Sequence, residues 1–201
     1  MSNSNLTRIA IATSTKKLLR EMSFSKITVK KICETTGISR RSFYNHFSDI
    51  YDVIIWIFET EFYNHYKNIE KIDYFNDFVF ELCQYFYNNM AFYRKVLPLE
   101  GQNSLRLYIT KEFTELFIDD VMIGIRNKRI AKIFIESLWG ITILLIINWF
   151  DNKNDVPPKE FVDGYKITCA NAGYNFGNQA LGLDFNYTDF IENNTDNRNE
   201  N

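Results

Sequence analysis

Between Leu6 and Met22 the apolar residues keep a helical period, with Ile11, Leu18, Leu19 and Met22 at i, i+7, i+8 and i+11 and Ala12 on the adjoining edge. One face of this predicted first helix is apolar and the other basic. Ser23-Phe24-Ser25 breaks the pattern, and Thr28 stands where an N-cap would start a second helix, Val29 to about Thr35, that buries Val29, Ile32 and Cys33. Thr36-Gly37-Ile38-Ser39 follows. Gly37 is suited to the positive φ that ends a helix, Ile38 to plugging the core between two helices, and Ser39 to capping the next one. That third helix, Arg40 to Phe47, turns Phe43 and Phe47 inward at i and i+4 and leaves Arg40, Arg41, Tyr44 and Asn45 facing away. Helix, short turn with glycine, helix is the helix-turn-helix arrangement, whose second helix enters the major groove of DNA.

After Ser48-Asp49 the pattern predicts longer helices: Ile50 to about Lys67, Phe75 to Asn88, Phe92 to Val96, Leu105 to Val121 and Ile130 to Phe150, with turns at Pro98, Gly101 and Arg126-Asn127. Pro157-Pro158 opens a last one, Lys159 to about Ala172. From Asp184 onward the chain is rich in Asn and Asp and is expected to be mobile. Ser137 to Phe150 is fourteen residues almost free of charge, which is short of the roughly 20 a membrane span needs. Such a helix is expected to be buried in a bundle or against another subunit, so no membrane association is expected.

Composition and charge narrow the function. With 8 Gly and 3 Pro in 201 residues there is little loop punctuation, which favours helices. Cys33, Cys83 and Cys169 are odd in number and far apart, so neither a disulfide framework nor a zinc site is expected, and a reducing cytoplasm fits best. The net charge of −2 conceals a split. Residues 1–47 carry nine basic side chains against two acidic ones, a balance of +7, while the remainder carries fourteen against twenty-three, or −9. A compact positive module on an acidic body suits a polyanion such as double-stranded DNA, whose counterions Lys and Arg displace.

With these elements placed, the N-terminal third resembles the TetR/AcrR family of bacterial transcription regulators. The resemblance lies in Ile27-Thr28-Val29, Ile32-Cys33, Thr36-Gly37-Ile38-Ser39, Ser42-Phe43-Tyr44 and His46-Phe47, with Asp52-Val53-Ile54 opening the fourth helix, and it covers residues 6–60. Phe47 to Val53 with Trp56 is similar to a subgroup that includes regulators of dihydroxyacetone kinase operons. The family often has Ala at 33 and 36, Gly at 41 and Lys at 50, so an operator sequence does not transfer to this chain. The resemblance implies an all-α protein: a helix-turn-helix DNA-binding domain over residues 1–48, a helical effector-binding and dimerisation bundle over 49–183, and a tail over 184–201.

Candidate site residues follow. Arg40 and Arg41 can bond guanine edges through their planar guanidinium groups, or hold phosphate instead. The resemblance implies that Tyr44 and His46 hold the DNA backbone. Thr28, Thr36 and Ser39 combine capping with hydroxyls available to phosphate, and Ser42 and Asn45 complete the candidate DNA surface. Lys26, Lys30 and Lys31 supply field. In the body, Phe62, Tyr66, Phe78, Tyr85, Phe86, Tyr93, Phe113 and Trp139 are candidates for lining an effector pocket, although aromatics at helical spacing also serve as plain core. Glu61 and His65 sit at i and i+4, where a surface pair is expected rather than a metal site.

The partners expected are duplex DNA, an unidentified small-molecule effector, and a second copy joined through the helices near 130–150 and 159–172, as the resemblance implies. No cofactor is expected. The chain has no Gly-x-Ser-x-Gly, no phosphate-cradling glycine loop, no metal cluster and just two histidines, so catalysis is not expected. The leading expectation is a ligand-responsive repressor. Its alternatives are a regulator acting through a protein partner without an effector, and an activator of a sugar or dihydroxyacetone kinase operon.

Overall fold

The computed structural model describes residues 3–64, 75–121, 127–151 and 156–181, and every regular element among them is helical. The chain divides into two compact units, residues 1–155 and 156–201.

The first unit begins with α1 (Asn3–Glu21), a 3-10 turn (Phe24–Lys26), α2 (Val29–Thr36) and α3 (Arg40–Tyr44). Helices of eight and five residues do not persist alone in water. Caps and packing hold them. Thr28 Oγ1 accepts from the Lys31 amide at 3.2 Å, and Ser39 Oγ accepts from the Ser42 amide at 3.0 Å. Gly37 ends α2 at φ 77°, a left-handed conformation that a side chain would strain, and the amides of Gly37 and Ile38 both return to the Cys33 carbonyl. Ile11, Leu18, Leu19, Ile27, Ile32, Phe43 and Phe47 are buried, while Ile38 is half-buried.

The third helix ends at Tyr44, three residues before the predicted Phe47. The Asn45 amide already shares the carbonyls of Arg41 and Phe43, and the His46 amide bonds Phe43, so the last turn tightens. Phe47 stays buried at 3% exposure, its amide on the Phe43 carbonyl. Asp49 then caps α4 (Ile50–Phe58) by accepting from the Asp52 amide, and the Asp52 carboxylate reaches back to the Ser48 amide, each at 2.8 Å. The turn Glu59–Tyr63 continues α4 as a π-helical segment. The predicted extension of this helix past residue 64, with His65 and Tyr66, lies outside the described residues.

The rest of the first unit is α5 (Phe75–Asn88), α6 (Met90–Val96), α7 (Leu105–Val121) and α8 (Lys128–Asp151). α1 packs on α2, α4 and α6; α7 packs on α4 and, most extensively, on α8. Gly101, at φ 122°, turns the chain into α7.

The apolar run of the sequence belongs to a helix of 24 residues, so the argument that it is too short to span a membrane does not hold. By length and composition α8 could cross one, with a mean hydropathy of 2.1 over its most apolar window. Its role is read from its two faces instead. Ala131, Ile135, Trp139, Thr142, Ile143 and Ile146 are buried along one side, while Ile130, Ile133, Phe134, Ile141, Leu144 and Leu145 line the opposite side at 39–61% exposure.

In the second unit, α9 (Pro158–Leu181) starts at the predicted proline and runs nine residues beyond the predicted Ala172. Ile167 and Cys169 are exposed on it. The tail over 184–201 lies outside the described residues.

Candidate nucleic-acid interface

The helix-turn-helix is built so that its caps and its candidate DNA-binding surface share residues. Ser39 spends its oxygen on the Ser42 amide, which starts α3 with Arg40 and Arg41 in the first turn. Both arginines are exposed, as are Ser39, Tyr44 and Asn45. On a helix, positions 40, 41, 44 and 45 share one side, and the buried ring of Phe43 occupies the other. Tyr44 is 58% exposed, and its ring meets Phe43 nearly edge-on at 5.5 Å, which holds the phenol outward.

Thr28 is exposed at the start of α2. The Thr36 hydroxyl donates to the Ile32 carbonyl at 2.7 Å and is half-buried, so it can still accept but has no proton to offer phosphate. Ser42 and His46 are half-buried beside the exposed set. Among the flanking lysines, Lys30 lies 3.7 Å from Glu34 on the same helix face, an exposed pair that contributes little to stability. Thus the candidate residues come together on one surface, with Arg40, Arg41, Tyr44 and Asn45 the most available and Thr36, Ser42 and His46 at its base.

Arg8 and Trp56 join this surface to its support by contacts that the sequence spacing does not show. The Arg8 guanidinium of α1 sits over the Phe47 ring at 5.8 Å, and Phe47 meets Trp56 of α4 edge-on at 5.9 Å. Cys33, in α2, is a buried free thiol, and burial pushes its pKa up despite Arg40 nearby.

In the body, seven of the eight aromatic pocket candidates fall into one continuous stack, and Tyr66 lies outside the described residues. Phe58 lies at its centre, within 6.4 Å of Phe62, Tyr63, Tyr85, Phe86 and Phe113. Phe78 meets Phe113 at 4.8 Å and Trp139 at 6.1 Å, and Phe86 meets Tyr93 at 4.4 Å. Along the edge of the stack nearest α7, hydroxyls meet carboxylates: Tyr63 donates to Glu112 at 3.0 Å and Tyr108 donates to Glu59 at 2.5 Å. Burial, foremost, and these carboxylates push both phenol pKa values well above the ordinary tyrosine range. Glu61, the half of the i, i+4 pair that is described, bonds Lys16 and Tyr85. A separate cleft of about 350 Å³ opens where α4 and α7 begin, between Asp49, Asp52, Asn103 and Lys111.

A glycine-turned helix-turn-helix with an outward cationic helix, carried on an aromatic helical body, defines a one-chain DNA-binding regulator fold. Comparison with known proteins agrees. Residues 73–168 match a TetR family described as "Transcriptional regulator C-terminal region". The HTH-type dhaKLM operon transcriptional activator DhaS of Lactococcus lactis subsp. lactis (strain IL1403) is 28% identical over 100 residues, 50% of this chain and 54% of that protein. The chain therefore matches about half the length of that curated relative.

Two solved structures share the fold. One is a dihydroxyacetone kinase operon activator DhaS, with TM-score 0.55 and 21% identity over 82% of this chain and 95% of that one. The other is native NalD of Pseudomonas aeruginosa, described as the secondary repressor of the MexAB-OprM multidrug efflux pump, with TM-score 0.57 and 16% identity over 81% and 93%. Residues 73–168 thus match the C-terminal region of TetR-type transcriptional regulators, and the two structures share the helical fold. That family and both structural neighbours are regulators and not enzymes, in keeping with the absence of catalytic motifs in the sequence.

Proposed function

We propose that the protein is a cytoplasmic, homodimeric one-component regulator that binds a palindromic operator through α3 and responds to a small molecule in its helical body. The observation that carries the reading is the outward set Arg40, Arg41, Tyr44 and Asn45 on a capped recognition helix, within a module of charge +7. Guanidinium groups on that helix reach base edges in the major groove, while Tyr44, His46 and the threonine and serine hydroxyls hold phosphates and fix register. Residues 1–48 act as the DNA-binding part and 49–183 as the effector and dimerisation part.

The exposed stripe of α8 supports the dimer. Ile130, Ile133, Phe134, Ile141, Leu144 and Leu145 form an apolar face on the side of the helix away from the core, the kind of patch that a soluble chain covers with a partner. A second copy covering it gives two-fold symmetry, and with it two recognition helices about 34 Å apart on a palindrome. The same covering accounts for the hydropathy of α8 without a membrane.

Repression by operator occupancy is the first reading of regulatory sign. Activation is favoured by a specific observation: the sequence relative at 28% identity is named as an activator.

Titration of fluorescent duplex DNA at several salt concentrations tests the proposal, with sedimentation run alongside. The expected result is binding by a dimer whose log K falls linearly with log salt, in proportion to the phosphates neutralised. A protein that stays unbound to any duplex at about 50 mM salt would overturn it.

A further inference from the structure

We propose that the hydrogen-bond chain Tyr93–Tyr85–Glu61–Lys16 is the link through which the packing of the aromatic core controls helix α1. It deepens the regulatory reading above, and it rests on that reading for its consequence at DNA.

Lys16 projects from the C-terminal half of α1 and places its ammonium 2.9 and 2.8 Å from the two Glu61 oxygens. Glu61 lies in the π-helical turn that continues α4, so the pair ties α1 to the far end of the helix that leaves the helix-turn-helix. Tyr85 of α5 donates its hydroxyl to the same carboxylate at 3.1 Å. The Tyr85 and Tyr93 hydroxyls are 2.6 Å apart. Because a carboxylate only accepts and Tyr85 has a single hydroxyl proton, Tyr93 must be the donor to Tyr85. The order is therefore fixed, running from a side chain with no exposed surface in the core out to the module that carries the recognition helix.

Both tyrosine rings belong to the stack. Tyr85 lies on Phe62 at 5.0 Å with an interplanar angle of 29°, and Tyr93 meets Phe86 at 4.4 Å and Tyr85 at 5.3 Å. A molecule that parts these rings cannot leave the 2.6 and 3.1 Å bonds in place, because hydrogen bonds weaken steeply over a few tenths of an ångström. Loss of the Tyr85 bond frees the Glu61 carboxylate that orients Lys16.

A second strap runs in parallel. Lys95, two residues after Tyr93 on α6, donates to the carbonyls of Leu19, Arg20 and Met22, which terminate α1. A cation there satisfies the open carbonyls and faces the negative end of the helix dipole. α6 therefore holds α1 in its C-terminal half through the tyrosine chain and at its end through Lys95. The turn at Glu59–Tyr63, which carries Glu61, is π-helical, a form frequent at functional sites.

Amide hydrogen exchange of the full-length protein tests the link without needing an effector. Tyr93→Phe removes a hydroxyl and keeps the ring, and it should speed exchange at residues 14–21 of α1 by about two- to tenfold relative to α8. In a Lys16→Met background the same substitution should have no further effect on α1. Tyr85→Phe, on a less buried ring, gives the same cycle should Tyr93→Phe fail to fold. Additive effects of the two substitutions, or an equal acceleration of α1 and α8, would overturn the link. Duplex titration of the same variants keeps the two readings apart. A coupled exchange cycle in a protein that binds no DNA leaves the link standing and removes the DNA reading, whereas DNA binding with additive exchange removes the link alone.

Discussion

The N-terminal module and the helical body solve the same packing problem with different means. The module relies on short-range devices: Thr28, Ser39 and Asp49 each cap a helix through an amide three residues on, and Gly37 turns one helix into the next. Its helices α2 and α3, of eight and five residues, are too short to stand without them. The body relies on long-range contacts between large rings, from Phe58 on α4 to Phe113 on α7 and Trp139 on α8. The difference teaches where each region can vary. An outward surface held by caps keeps its backbone while its side chains change, whereas a body held by interlocking rings can alter its interior without replacing the outward residues of α3.

The largest expected effect removes a ring from either core. Trp139→Ala in the body or Phe43→Ala in the module should each cost about 3–5 kcal/mol in denaturant unfolding, since both side chains have no exposed surface. A loss under about 1 kcal/mol at either site would mean that the region does not depend on that core.

Next comes recognition. Arg41→Ala should weaken binding to a specific operator by about 1–3 kcal/mol and relax preference at one base position. A uniform loss across DNA sequences with a smaller salt slope would assign Arg41 to phosphate, leaving Arg40 as the base reader.

Cap removal is smaller. Ser39→Ala should cost about 0.5–2 kcal/mol in stability, with the loss concentrated in exchange of the α3 amides. No change there would contradict the claim that the cap starts the recognition helix.

The smallest effect at neutral pH appears only in alkali. Burial pushes Cys83 up to about 12, and burial with nearby carboxylates also raises Tyr63, Tyr85 and Tyr108. The folded state therefore holds these protons more tightly than the unfolded chain does, so their contribution is intact below the unfolded values of about 9 and 10. It is lost as pH rises above them. Denaturation midpoints should fall between about pH 9 and pH 12 while the buried phenols resist ionisation, and a flat profile over that window would contradict the burial described here.

How much of this was legible in the sequence follows the same division. The all-α fold, the caps at Thr28 and Ser39, the turn at Gly37 and the inward pair Phe43 and Phe47 were all readable, because each depends on residues within a few positions of one another. The aromatic stack was readable as a set of rings at helical spacing but not as a geometry. Lys16 with Glu61, 45 residues apart, and Lys95 with Leu19, 76 apart, left no local signature, since only the packing of α1 on α4 and α6 brings them together. The apolar run of α8 was underread because Lys132 and Glu136 look like its upstream boundary, while both lie inside the helix Lys128–Asp151, where long charged side chains can reach water.

The most direct test of the central claim, that α3 of the N-terminal module reads DNA, is selection of random duplex DNA on the purified full-length protein. Enrichment of a palindrome whose half-sites lie about one helical turn apart is the predicted result. Recovery of unenriched sequence, at the same yield for wild type and for a protein with Arg40 and Arg41 both changed to Ala, would contradict it.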